Sequence, residues 1–300
     1  MRVCLMIEGQ EGVTWEQWRA LATTAEVAGF EALFRSDHYM SLGLGEVDGS
    51  LDAWGTLSAL ATLTDKLRLG TLVSPATFRH PSVLAREAVT ADHISGGRIE
   101  LGLGAGWHEG EHRAHGFPFD TTRDRFDRYS EQLEIVRRSW AAEPFDFAGR
   151  YYRLEHADPL PKPVQRPHPP LIAGGIARSR GVALAARWAD EYNTLFATVD
   201  ECRERRELVA AACREAGREP IAFSLMTAFA IEGDHATRLL ARQGLDEPPA
   251  GWLAGSPAAI AEQLRALEAV GVERVMLQHL LHDDLAAVEL IGREVIPAVR

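Results

Sequence analysis

Short apolar runs alternate with helix-length amphipathic stretches along the whole of this 300-residue chain, and that alternation limits the fold more than any other feature. Residues 3–7 read as a strand, after which Thr14 and Gln17 form a capping-box pattern opening a helix that ends at Gly29. Residues 31–35 and 67–73 read as the next two strands, with a helical stretch over 51–64 between them. Pro81 sits where a first-turn proline belongs; its helix runs to about Ser95, and Gly96-Gly97 turns the chain into a fourth strand at 99–103. Phe126, Tyr129, Leu133, Val136 and Trp140 recur at three- and four-residue steps, marking a long helix with one buried face. Strands at 171–173, 192–196, 222–231 and 274–278 follow, with helices near 179–188, 199–216, 257–270 and 284–298.

Strict alternation implies parallel strands joined by helical crossovers, and eight such units define a (β/α)8 barrel, which needs about 250 residues. The chain therefore has room for one barrel domain over 1–300 with loop insertions, placed at roughly 105–122, 143–170 and 233–256, where turn residues interrupt the pattern. A doubly wound open sheet also alternates; the number of strands favours the barrel. In a barrel the chemistry belongs at the carboxyl ends of the strands, so the residues just after each run are the ones to inspect.

Composition narrows the function classes. A formal net charge of −11 argues against a nucleic-acid footprint. Only Lys66 and Lys162 are lysines, so the positive charge is nearly all arginine. The apolar run before Glu8 is too short for a signal-peptide core and far short of a membrane span, which predicts a cytoplasmic protein without membrane association. Cys202 and Cys213 lie on one predicted helix about 16 Å apart at 1.5 Å rise per residue, beyond disulfide reach, and Cys4 falls in an apolar strand where a buried inert thiol is expected.

After the second strand comes Arg35-Ser36-Asp37-His38-Tyr39. A carboxylate next to an imidazole at the mouth suits proton transfer or cofactor binding, with Asp37 fixing the His38 tautomer or holding a cofactor group; a loop cap with a solvated histidine is the plain alternative. After the fourth strand, Gly102, Gly104 and Gly106 surround Leu103 and Ala105 before Trp107. That spacing lets backbone approach a planar ring or a phosphate, or serves close packing at a barrel corner, and it departs from the dinucleotide fingerprint. Gly174-Gly175 precedes a helix carrying Arg178, Ser179 and Arg180, which reads as an anion site or as a tight turn with exposed arginines. His108-Glu109-Gly110-Glu111-His112 matches the spacing of a helix-borne zinc motif. Gly110 and the glycines before it argue against a continuous helix, so the match is read as chance, His112 and His115 as loop residues, and no metal is expected.

The stretches RSDHYM at 35–40, LRLGTLVSPATFRHPSVLAREAVTADHISGGRIELGLGAGWHEGE at 67–111 and LIAGGIARSRGVALAARWADEYN at 171–193 resemble the luciferase-like monooxygenase superfamily, and within it the branch dependent on the deazaflavin coenzyme F420. The resemblance implies a (β/α)8 barrel, commonly a homodimer, holding a deazaflavin or flavin at the carboxyl ends of its strands. It implies a catalytic role for His38 and cofactor contacts from Asp37, Thr71, Leu72, Val73, Gly104, Ala105, Gly106, Ala173, Gly174 and Gly175. It also places a non-prolyl cis peptide at Leu72-Val73. Deazaflavin sugar-phosphate dehydrogenases carry an acidic residue directly after the glycine turn, where this chain has Trp107, so their proton-transfer role does not carry over and a sugar phosphate is an unexpected substrate. Trp107 instead suits an apolar pocket wall, with Phe78 and Tyr39 as further wall candidates. The expected activity is hydride transfer between coenzyme F420 and a small organic molecule. The alternative is a two-component monooxygenase using FMN; a separate reductase regenerating the reduced cofactor is expected as a partner. A zinc hydrolase and a non-catalytic cofactor binder are the remaining readings. Specificity is expected in the loops near 40–50, 107–122 and 233–256.

Overall fold

All eight predicted strands form, and they close on one another. In the computed structural model, which describes residues 1–43, 49–141 and 143–300, β1 (Arg2–Ile7), β2 (Ala32–Arg35), β3 (Arg68–Pro75), β4 (Ile99–Gly104), β7 (Leu171–Gly174), β8 (Glu191–Leu195), β9 (Ala222–Ile231) and β11 (Arg274–Gln278) pair in that order, and β11 returns to β1. Every one of these pairings is parallel. The helices are α1 (Trp15–Ala28), α2 (Ala53–Ala61), α3 (Pro81–Ser95), α4 (Glu109–His115), α5 (Thr122–Ala141), α6 (Ser179–Trp188), α7 (Val199–Glu215), α8 (Asp234–Gln243), α9 (Pro257–Ala269) and α10 (Leu285–Leu290). Thr14 and Gln17 make the expected reciprocal cap on α1, Gly29 ends it in the left-handed conformation, and Pro81 opens α3.

The three expected loops hold more structure than their sequence suggests. Residues 105–122 contain α4, residues 233–256 contain α8 and the short strand β10 (Leu253–Gly255), and residues 143–170 contain an antiparallel hairpin of β5 (Phe145–Ala148) and β6 (Arg153–Ala157). The hairpin is stabilised by tertiary contact: Phe145 and Tyr152 pack on Ile135 of α5. Strands of four and five residues carry too little periodicity to be read without that contact. Similarly, the helix expected over 284–298 is α10 followed by a π turn (Ile291–Val295) and a 3-10 turn (Ile296–Val299). The part of the expected specificity loop at 44–48 lies outside the described residues.

Side chains of alternate strand residues divide between two cores. Val3, Leu5 and Ile7 face the helices, whereas Cys4, Met6, Phe34, Leu72, Ile172 and Met276 fill the barrel. All three cysteines are free and buried, and burial raises the Cys4 thiol well above its ordinary value, as an inert strand cysteine should behave. Below this apolar plug, at the amino ends of the strands, Arg274 donates to Glu100 Oε2 at 2.5 Å and to Glu191 Oε1 at 3.0 Å, and Arg68 donates to Glu100 Oε1 at 2.5 Å. Arg274, Glu100 and Glu191 are all buried, so the barrel floor is an ion network shielded from water.

Outside the barrel, Phe229, His235 of α8 and His279 stack with nearly parallel rings, and His282 meets His279 edge-on. Neither ring nitrogen of His279 finds a partner within hydrogen-bonding geometry among the described residues. Burial holds His279 well below its ordinary value, lowers His235, and with the Arg242 charge lowers His282 to about 4. Each is neutral when folded and takes up a proton when unfolded near pH 6.5, so their stabilisation is complete above pH 6.5 and is lost as pH falls through the folded values. His282 alone should remove about 2 kcal/mol by pH 5. Thermal melts between pH 7.5 and 5 should show Tm falling, and His279→Phe, which fits the Phe229 stack and removes an unpaired polar group, should flatten that fall. An unchanged slope would remove the histidine stack from the account.

Candidate active site

The carboxyl ends of β2, β3 and β4 bring together a histidine and a carboxylate that lie 73 residues apart in the chain. Nδ1 of His38, just past β2, lies 2.7 Å from Oε2 of Glu111, in the first turn of α4. Oε1 of the same carboxylate accepts from the backbone N–H of Tyr39 at 2.5 Å and of Met40 at 3.3 Å. Glu111 is fully buried and thus clamps both the ring and the loop that carries it. Burial alone would lower the His38 pKa, but the hydrogen bond and charge of Glu111, with Glu8 and Asp37 behind it, raise it; Glu111 itself is held below the usual carboxylate range, burial being outweighed by His38 and the two amides. His38 therefore keeps its proton to higher pH than a free imidazole. Removing that charge in Glu111→Gln should lower the His38 pKa, which an NMR titration of the labelled imidazole reads directly; an unmoved titration would show that the pair is not electrostatically coupled.

Asp37 does something other than steer the adjacent ring. Its Oδ2 accepts from Ser74 Oγ at 2.6 Å and from Arg79 Nη1 at 2.6 Å, while the buried Oδ1 has no partner among the described residues. The expectation that Asp37 fixes the His38 tautomer is thus corrected: Glu111 does so, because Arg79 and Ser74 pull the Asp37 carboxylate toward β3. Arg79 also donates to Tyr39 Oη at 3.0 Å and Asp52 Oδ2 at 2.8 Å.

The Leu72-Val73 peptide is cis, and the β3–β4 register shifts between Thr71 and Ser74. Thr71 is buried with its hydroxyl on Gly102 O at 2.9 Å. The glycines around this bulge have a packing reason: a Cβ at Gly102 or Gly104 would come within 2.9 and 2.8 Å of the Val73 side chain, and one at Gly174 within 3.4 Å. Gly106 has φ +79, and a Cβ there would meet Thr77 Oγ1 at 2.7 Å. Ala105 is half-buried beside it, and Ala173 is buried just before Gly174, which is exposed at the end of β7, with Gly175 following half-buried.

Trp107 is 61% exposed, its ring edge-on to His38 at 5.9 Å. Phe78 and Tyr39 stack on each other at 5.5 Å, and Phe78 stacks on Phe117 at 4.5 Å, forming a wall beside the His38–Glu111 pair. Exposed Met40, Trp107, Ile176 and Phe196 follow β2, β4, β7 and β8, so an apolar rim surrounds much of the mouth. The start of α6 has no side-chain cap, which leaves its first amides for another acceptor; of its two arginines, Arg180 is committed to Asp127. The stretch 108–112 is helical from Glu109, contrary to the loop expectation, because His108 caps it by accepting from Glu111 N at 3.0 Å. Both His112 nitrogens are taken, by His108 O at 2.7 Å and Thr77 Oγ1 at 2.6 Å, and among the described residues no cluster of three or more side chains forms a metal site.

Glu111 and Arg79 are the functional residues that sequence reasoning passed over. Glu111 lay inside the motif judged a chance match, and the signal that would have found it is a buried-facing acid in the first turn of a helix opening directly above the mouth.

The chain belongs to the luciferase-like monooxygenase family, whose model matches residues 2–243. It is 29% identical to an FMNH(2)-dependent dimethylsulfone monooxygenase of Pseudomonas putida, covering 94% of this chain and 87% of that protein. It is also 29% identical to an F420-dependent hydroxymycolic acid dehydrogenase of Mycobacterium tuberculosis over 72% of this chain and 59% of that one. The fold of an F420-dependent secondary alcohol dehydrogenase superposes with a TM-score of 0.85 at 19% identity, covering 100% of this chain and 99% of that one. Among the described residues no helix is long and apolar enough to cross a membrane.

Proposed function

We propose that the protein is an oxidoreductase that binds reduced coenzyme F420 at the barrel mouth and acts on a small organic substrate there. The observation that carries this reading is the His38–Glu111 pair, in which a buried carboxylate raises the proton affinity of a half-buried imidazole beside the apolar rim, where a reduction needs a proton. The mouth fits such a cofactor: the rim offers apolar surface to a ring, Asp37 Oδ1 is a buried acceptor awaiting a donor, and the uncapped start of α6 offers amides to a phosphate. In this reading Asp37, Thr71, Leu72, Val73, Gly104, Ala105 and Gly106 line the ring side, Ala173, Gly174 and Gly175 the phosphate side, and Trp107, Phe78 and Tyr39 the substrate side. When bound, the deazaflavin supplies a hydride. His38 supplies the accompanying proton from its ring, and Glu111 fixes that ring and stabilises its charge.

The similarity to the Pseudomonas dimethylsulfone monooxygenase, which extends over most of both chains, favours a second reading in which FMNH2 occupies the same mouth and the substrate is oxygenated. A reductase partner accompanies either reading, and homodimerisation is part of the proposal. Parallel titrations of the purified protein with F420 and FMN, read by cofactor fluorescence, distinguish the two. Micromolar or tighter F420 binding with weak FMN binding is the expected result; the reverse transfers the protein to the monooxygenases, and binding of neither overturns both.

A further inference from the structure

Alternation along β1 and β11 places a carboxylate directly on the floor of the mouth. Cys4 and Met6 face the barrel interior, as does Met276, and continuing each strand by two residues brings Glu8 and Gln278 to the layer above them. Gln278 Nε2 donates to Glu8 Oε1 at 2.6 Å, and Gln10 Nε2 donates to Glu8 Oε2 at 2.9 Å. The second amide is itself oriented, because Gln10 Oε1 accepts from Ser36 Oγ, and Ser36 Oγ accepts from Gly9 N at 3.0 Å. Glu8 is 6% exposed, and among the described residues no arginine, lysine or histidine forms an ion pair with it. Two neutral amides occupy one lone-pair position on each oxygen, neutralise no charge, and leave a further acceptor position on each.

Further carboxylates stand on this side of the mouth: Glu11, Asp37 and Glu111 are buried in the segments that follow β1, β2 and β4, Asp37 paired with Arg79 and Glu111 with His38. The uncapped start of α6, which suits an anion, lies after β7.

We propose that Glu8 is a specificity-determining residue, selecting neutral or cationic substrates that present an N–H or O–H donor and rejecting carboxylates, sulfonates and phosphates. The inference rests on the reading of the mouth as a substrate site and deepens it. A donor on the substrate completes the hydrogen bonding of a carboxylate that is already fixed in place, whereas an anion meets unscreened repulsion in a partly dehydrated cleft.

Cyclohexylamine, cyclohexanol and cyclohexanecarboxylate share one ring and differ in the group Glu8 would meet. Their binding is measured by ligand-observed NMR on the protein alone and after saturation with whichever of F420 or FMN it binds. The wild type should bind the ammonium and the alcohol and leave the carboxylate free. Glu8→Gln, nearly isosteric, should weaken the ammonium at least tenfold and admit the carboxylate, while cofactor affinity stays within twofold. A carboxylate that binds the wild type as well as the ammonium does, a ranking unchanged in Glu8→Gln, or no binding by any of the three overturns the proposal. Should Glu8→Gln not fold, the wild-type ranking alone decides. Failure of both cofactors to bind counts against the proposed function, and the ranking on the protein alone still judges Glu8.

Discussion

Arg274→Met should destabilise the protein by about 3–5 kcal/mol, the range for removing one partner from a buried ion pair. Arg274 touches both Glu100 and Glu191, and both carboxylates are buried. Without it Glu100 retains Arg68, and Glu191 retains only the Ser224 hydroxyl. The two acids respond differently in the intact protein. Burial opposes ionisation of Glu100, but Arg274 and Arg68 hold it down at about 2; burial outweighs Arg274 at Glu191, whose pKa is raised. For Glu100, whose folded value lies below its ordinary 4.5, the stabilisation is present above pH 4.5 and disappears as pH falls toward 2. In the variant Glu191 loses its charged partner and Glu100 keeps only Arg68, so both acids should take up protons more readily and the deficit should be smaller at pH 5 than at pH 8. Denaturant unfolding at the two pH values measures this, and Glu191→Gln added to Arg274→Met should restore part of the loss. A deficit below about 1 kcal/mol, or one independent of pH, would mean that water reaches the floor and screens the charges.

That floor was not legible in the sequence, whereas the barrel above it was. Strand and helix periodicities are local, so Thr14-Gln17, Pro81 and the run from Phe126 to Trp140 declared their elements, and eight repeats declared closure. Glu100, Glu191 and Arg274 stand at or near strand beginnings 83 or more residues apart, and only the barrel's closure brings them into contact. The site divides in the same way. His38 and the Leu72-Val73 cis bond were legible through resemblance, since they lie within contiguous motifs. Glu111 was not, because its partner is 73 residues away and its own motif matched a metal site more conspicuously. The glycines at 102 and 104 show a further reason: the sequence allowed either close approach to a ring or phosphate or close packing, and the structure fills part of that room with Val73. Asp37 beside His38 misled for a related reason. Adjacent residues project from successive backbone positions in different directions, and Asp37 follows Arg79 and Ser74 toward β3 while His38 turns to α4.

His38→Ala should lower turnover by roughly 10²–10⁴-fold, the range for loss of a positioned general acid, with cofactor affinity changed little. The distinction matters because the His38 ring is joined to the protein through Glu111 and, among the described residues, makes no other side-chain hydrogen bond. Its truncation removes the proton without disturbing the Asp37–Arg79–Ser74 cluster or the Leu72-Val73 bulge. The pH profile separates a proton donor from a spacer. With His38 held protonated above its ordinary 6.5 by Glu111, wild-type turnover should fall on the alkaline side, where the ring loses its proton. Glu111→Gln should move that alkaline limb to lower pH, since burial then acts against the imidazolium with less opposing charge. His38→Ala should abolish the limb, leaving a flat residual rate that small imidazoles added to the buffer partly restore. A variant whose turnover falls but whose alkaline limb stays where it was would assign the proton to another group, and turnover unchanged in His38→Ala would return His38 to the role of a buried loop anchor.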